Sequence, residues 1–201
     1  MKTVSNKFPQ ALIFSTQRSG THLLLSFLNK HPNVHGRGEI FLKYKRTGQI
    51  EDNHPDKLNV AILMYDQLPV FKKLGGVLKD LKIIHLIRDC HFVALSRLQA
   101  QADKKKQGLD YQAHYHKEDP LKEQGIPELS RLDQLKNEID QEQRQFVKLL
   151  KNLDHLELKY EEIVQNDQSV EFLDQEVQQR LLRYLDLETV PFRLYTTLIK
   201  R

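Results

Sequence analysis

A single cysteine, Cys90, occurs among the 201 residues. It has no partner for an intramolecular disulfide and cannot by itself build a structural zinc site, which fits a reducing compartment. Long apolar runs are also missing. Stretches such as Ile83 to Ile87, with His85 inside, fall far short of the ~20 residues a membrane helix needs, so no span is expected. Met1 to Gln10 is polar and leads straight into Ala11-Leu12-Ile13-Phe14, without the apolar stretch and small-residue site of a secretory signal. A cytoplasmic location is the expectation. No internal repeat, low-complexity tract or composition break divides the chain, so one domain over 1–201 is expected. The sequence shows no metal-ligand cluster and no G-x-x-x-x-G-K-[ST], which disfavours a kinase or ATPase of the P-loop type.

What the chain does contain is enough apolar material, 39% of residues, for one sizeable core, and a net charge of +4. With a pI near 9.0 this favours an anionic ligand, whether nucleotide, nucleic acid or membrane surface. The densest basic run, Lys104-Lys105-Lys106, reads as a solvated helix end.

Short apolar strands alternate with helical stretches: Ala11 to Ser15 then Thr21 to Leu28, Val60 to Met64 then Gln67 to Leu78, Ile83 to Ile87 then Phe92 to Ala102. Such alternation is the pattern of βαβ units around a parallel sheet, and the fold class is α/β. Leu109 to Ser130 loses apolar periodicity and is expected to be a lid or acceptor loop. Arg131 to Asn152 reads as an amphipathic helix, His155 to Tyr160 as a strand, and Val170 to Leu185 as a helix.

Ser15-Thr16-Gln17-Arg18-Ser19-Gly20-Thr21-His22 joins a strand to a helix. That arrangement collects free backbone amides and the positive end of a helix dipole at one point. An anion belongs there, with Arg18 adding fixed charge and Ser19 and Thr21 adding hydroxyls. The plainer alternative makes Ser19 or Thr21 a helix cap and turns Arg18 to solvent. A second charged turn follows Ile83 to Ile87, where Arg88 at the strand end and Ser96 on the next helix can face one ligand. Two anion sites would then flank one crevice.

Arg18-Ser19-Gly20-Thr21, with Leu23-Leu24 behind it, resembles the 5′-phosphosulfate loop of sulfotransferases that use 3′-phosphoadenosine-5′-phosphosulfate (PAPS), closest in motif to the bacterial carbohydrate enzymes of trehalose and Nod-factor type. The resemblance implies a P-loop-like three-layer domain. It also implies a donor site made by Gln17, Arg18, Ser19, Gly20, Thr21 and His22, with Arg88 and Ser96 on the 3′-phosphate. Tyr160, in a segment like the family's Tyr-Glu-Asp-Leu, would contact the nucleotide. The implied reaction moves a sulfuryl group from PAPS to a hydroxyl of a small molecule or glycan, with Arg18 and Glu39 catalytic and no metal, further cofactor or nucleic acid. Glu39, in Gly38-Glu39-Ile40-Phe41, matches the proposed general base of that group; His35, in the same turn, is the rival. Three departures stand out: Cys90 replaces a common Pro, Val60-Ala61-Ile62-Leu63 lacks a frequent Lys, and where a longer basic segment is common either Arg193, Lys200 and Arg201 serve its purpose or closure over the nucleotide is reduced. A non-catalytic nucleotide or polyanion binder of the same fold is the main alternative.

Overall fold

The computed structural model describes residues 7–107, 115–116, 126–164, 172–196 and 198–199. In chain order its elements are β1 (Ala11–Ser15), α1 (Thr21–Leu28), β2 (Val34–Gly36), α2 (Ile40–Thr47), β3 (Leu58–Met64), α3 (Leu68–Lys73) and β4 (Lys82–Ile87). These are followed by α4 (Cys90–Gln107), β5 (Tyr115–His116), α5 (Leu132–Leu150), β6 (His155–Lys159), α6 (Tyr160–Ile163), α7 (Gln175–Tyr184) and β7 (Leu198–Ile199). Five strands form one parallel sheet in the order β2-β3-β1-β4-β6, and β5 pairs with β7 in a separate antiparallel two-stranded sheet.

β1 is central and buried along its whole length. Its side chains alternate between two cores, as the two-residue period of a strand requires. Ala11 and Ile13 face a cluster with Leu24, Phe27 and Leu28 of α1 and Val177 and Leu181 of α7. Leu12 and Phe14 face one with Phe41 of α2, Phe71 of α3 and Leu150 of α5. Helices thus cover both faces of a fully parallel sheet, the α/β arrangement expected. α4 packs outside this layer against α5, through Val93, Ala94 and Leu98 on one side and Leu135 and Ile139 on the other.

The register brings Phe14 beside His85 and His85 beside Glu157. Phe14, Tyr65 and Phe146 make an aromatic knot: Phe14 meets Tyr65 edge-on at 4.9 Å and Phe146 at 5.4 Å, while Tyr65 and Phe146 stack at 4.0 Å. The Tyr65 hydroxyl shares a 2.6 Å hydrogen bond with His85 Nε2. Burial pushes the His85 imidazole down to about 4, which keeps it neutral at physiological pH.

Three expectations need correction. The helix anticipated over Gln67 to Leu78 is a 3-10 turn at Tyr65–Gln67, the short α3, and a second 3-10 turn at Leu78–Asp80. Gly75 stops it by taking a positive φ of 87°, and Gly76 closes the end by donating to the Phe71 carbonyl at 3.0 Å. The last helix starts at Gln175 rather than Val170, because Asp174 caps it by accepting from the amides of Glu176 and Val177. The segment around Glu39, expected as a turn, opens α2, with Glu39 as its cap residue. The lid expected over Leu109 to Ser130 lies mostly outside the described residues. No helix among the described residues is long and apolar enough to cross a membrane.

Phe14 is fully buried at the centre of the knot. Phe14→Ala should therefore destabilise the chain by ~3–5 kcal/mol, read as a lower urea midpoint at unchanged slope.

Candidate active site

β1 ends at Ser15, whose buried hydroxyl donates to the Leu86 carbonyl of β4 at 2.5 Å and ties the two strand ends together. The chain then passes through two left-handed residues, Arg18 at φ 72° and Gly20 at φ 89°, on either side of Ser19. Alternation of this kind turns successive amides toward one concavity and is uncommon for a non-glycine residue such as Arg18. The helical ladder of α1 begins only where Leu24 donates to the Gly20 carbonyl at 3.1 Å, so the first-turn amides face the loop.

Ser19 is fully buried and its hydroxyl has no protein partner. Among the described residues four buried side-chain polar atoms lack a partner, and three of them, Ser19 Oγ, Arg88 Nε and Arg97 Nε, belong to this loop and the residues bonded to it. Such atoms cost about 1–3 kcal/mol each when unsatisfied, and their donors suit an anion.

The guanidinium of Arg88, directly after β4, donates from Nη1 to the Arg18 carbonyl at 3.0 Å and lies 4.2 Å over the Tyr160 ring. Burial lowers its pKa from the usual arginine value, opposed by Tyr160 and Glu161. The same burial raises the Tyr160 hydroxyl, with Arg88 opposing. Arg18 Nε donates to Ser96 Oγ of α4 at 3.0 Å. The expected pair Arg88 and Ser96 thus converges on Arg18 itself. α5 adds residues that sequence reasoning missed: Gln143 donates to the Arg88 carbonyl at 2.9 Å, and Glu142 accepts from Thr16 Oγ1 at 2.6 Å and pairs with Arg97 at 3.5 Å. Arg97 also donates to Thr16 Oγ1.

On the other side of α1 stands Glu39. Its carboxylate accepts from His22 Nε2 at 2.9 Å and from Gln67 Nε2 at 3.0 Å, and the side chain stays 23% exposed. The approach is held by β3, where Arg37 donates to Val60 and Ile62 donates to Gly38, each at 2.8 Å. His22, expected at the donor, is bonded to Glu39. Gln17 is exposed and reaches Asp66 only at 3.5 Å. His35 sits in β2 with its ring 5.6 Å from His54, and burial, then His54, lowers its pKa. Arg193 is spent on the Leu173 carbonyl, at 3.1 and 2.8 Å, while Lys200 and Arg201 lie outside the described residues. Ile62, in the Val60-Ala61-Ile62-Leu63 run where a Lys was the expectation, is wholly buried.

A fully parallel sheet with helices on both faces and a left-handed turn between its central strand and the first helix defines a P-loop-like α/β domain. The sulfotransferase domain model matches residues 8–191, and the chain belongs to that family. Three solved structures share the fold. A sulfotransferase domain from the curacin biosynthetic pathway is 15% identical, with TM-score 0.56, over 92% of this chain and 76% of that one. A sulfotransferase from Alicyclobacillus acidocaldarius is 11% identical, with TM-score 0.52, over 96% and 87%. Mouse sulfotransferase SULT7A1, complexed with PAP, is 14% identical, with TM-score 0.54, over 90% and 59%. No curated protein sequence matches the chain.

A Cβ placed on Gly20 would fall 2.3 Å from the Tyr160 ring, at a backbone angle that also disfavours it. Gly20→Ala should cost at least ~2 kcal/mol of stability in urea unfolding, and Gly20→Ala in a Tyr160→Ala background should lose less than the two single changes summed.

Proposed function

We propose that the chain is a PAPS-dependent sulfotransferase acting on a hydroxyl of a carbohydrate or glycolipid. The observation that carries this reading is the convergence of Arg18, Arg88 and Ser96 on the loop that holds the unpartnered Ser19 hydroxyl. Family membership and the fold shared with a sulfotransferase complexed with PAP support it. The carbohydrate preference rests on the Gly38-Glu39-Ile40-Phe41 motif alone, an argument by analogy.

The residues fit such a donor. The amides of the 18–21 turn, Ser19 and Arg18 would hold its phosphosulfate end, and Arg88 with Ser96 its 3′-phosphate; Tyr160 packs against Arg88 and Gly20 to keep both in place. The donor supplies a sulfuryl group on a phosphate leaving group. Charge growing on that phosphate is met by fixed donors and the α1 dipole, which need no rearrangement as the charge develops. Glu39 takes the proton of the acceptor hydroxyl. His22 and Gln67 each donate to one of its oxygens and so aim the carboxylate. The segment 109–130 is assigned to acceptor selection within a single domain.

The test begins with calorimetry of the desulfated nucleotide in the absence of metal, against ATP with Mg²⁺; tight binding of ATP alone would overturn the reading. Glu39→Gln should bind the nucleotide as the parent does and lose transfer by ~10²–10⁴-fold, while near-parental turnover would remove Glu39 from the chemistry. Arg18→Ala and Arg88→Ala should each weaken nucleotide binding by roughly tenfold or more.

A further inference from the structure

The fourth unpartnered buried atom lies away from the donor loop. His85 is 0% exposed on β4, and its Nδ1 has no hydrogen-bond partner. It points toward the neighbouring strand β6, where Glu157 Oε2 stands 3.8 Å away, beyond hydrogen-bond range. His155, two residues earlier on β6 and so on the same face, completes a group whose ligand atoms lie within 4.8 Å of one another. We propose that His85, His155 and Glu157 form a transition-metal site, of the kind that takes Zn²⁺, bridging the last two strands of the sheet.

The hydrogen bonds around the two imidazoles suit this role. His155 Nδ1 bonds to the Leu153 carbonyl at 2.9 Å, an interaction in which only the ring nitrogen can donate, so the lone pair lies on Nε2. His85 engages the Tyr65 hydroxyl through Nε2, which leaves Nδ1 for the metal once Nε2 carries the proton. A metal-bound histidine usually donates its second nitrogen to an oxygen in this way. Two imidazoles and one carboxylate favour Zn²⁺ over Mg²⁺ or Ca²⁺, which select all-oxygen sets.

Bonds of about 2.0–2.1 Å in a tetrahedron put ligand atoms roughly 3.4 Å apart, so the group closes by ~1 Å on binding. Glu157 is 45% exposed on the edge strand and can make that adjustment, while buried His85 anchors the site. The fourth position is left to water. The three residues are 70 and 2 positions apart in sequence, which no metal-motif spacing describes. The expectation that sulfuryl transfer needs no metal is independent of this site.

Co²⁺ is the spectroscopic probe. The full chain, freed of any purification tag and stripped with chelator, should bind one equivalent and develop visible absorption of a tetrahedral site, displaced by one equivalent of Zn²⁺. His155→Gln and Glu157→Gln lie on the exposed edge and should melt like the parent in chelator, yet each should weaken Zn²⁺ binding by ~10–100-fold or more. His54→Gln, which removes the His35–His54 pair, should leave binding unchanged. Absence of Co²⁺ or Zn²⁺ binding by the parent overturns the proposal. So does parental affinity in both edge variants, or loss of binding in His54→Gln alone.

Discussion

The hydrogen bond from the Arg88 guanidinium to the Arg18 carbonyl is the contact on which the candidate site depends. Burying a guanidinium is costly, and the cost is offset only where the cation is well placed. Here one face lies against Tyr160 and one nitrogen meets a main-chain oxygen, so the group proposed to bind an anion is also the group that shapes the loop after β1. Arg18 is thereby held at its left-handed angle, and its own side chain is turned to Ser96. Tyr160 then closes over Gly20, where no side chain fits.

Topology explains why these residues meet. All five strands of the main sheet run parallel, so their carboxyl ends share one edge. Thr16, Tyr65, Arg88 and Tyr160 are each the first residue beyond a strand. Within the central strands β1 and β3 nearly every side chain is consumed by one of the two cores, which leaves the positions just past their ends for chemistry.

Much of this was legible in the residues themselves. The uninterrupted run Ala11 to Ser15 and the apolar spacing of Thr21 to Leu28 gave β1 and α1 to the residue, because burial on both faces leaves little freedom. β2 was not legible: Val34–Gly36 has no pattern of its own and becomes a strand only because β3 offers it hydrogen bonds. The same limit hid Glu142 and Gln143, two polar residues on a half-exposed helix that the packing of α5 on α4 swings over the loop. Thr16 and Glu142 are separated by 126 positions, and only the tertiary register joins them. The 3.6-residue period was overestimated after β3, where Gly75 and Gly76 interrupt an otherwise apolar stretch.

One short element links the two halves of the site. α1 presents its first-turn amides to the anion loop and His22, its second residue, to Glu39. The proposed donor loop and the proposed base are therefore spaced by a single turn of helix. Gln67, the second residue bound to Glu39, belongs to the 3-10 turn begun by Tyr65, which is locked between Phe14 and Phe146. Transfer chemistry of this kind gains chiefly from holding reacting groups at fixed separation. The aromatic knot and the α1 turn set that separation from opposite sides, so the positioning of Glu39 is a property of the core as much as of the residues that touch it.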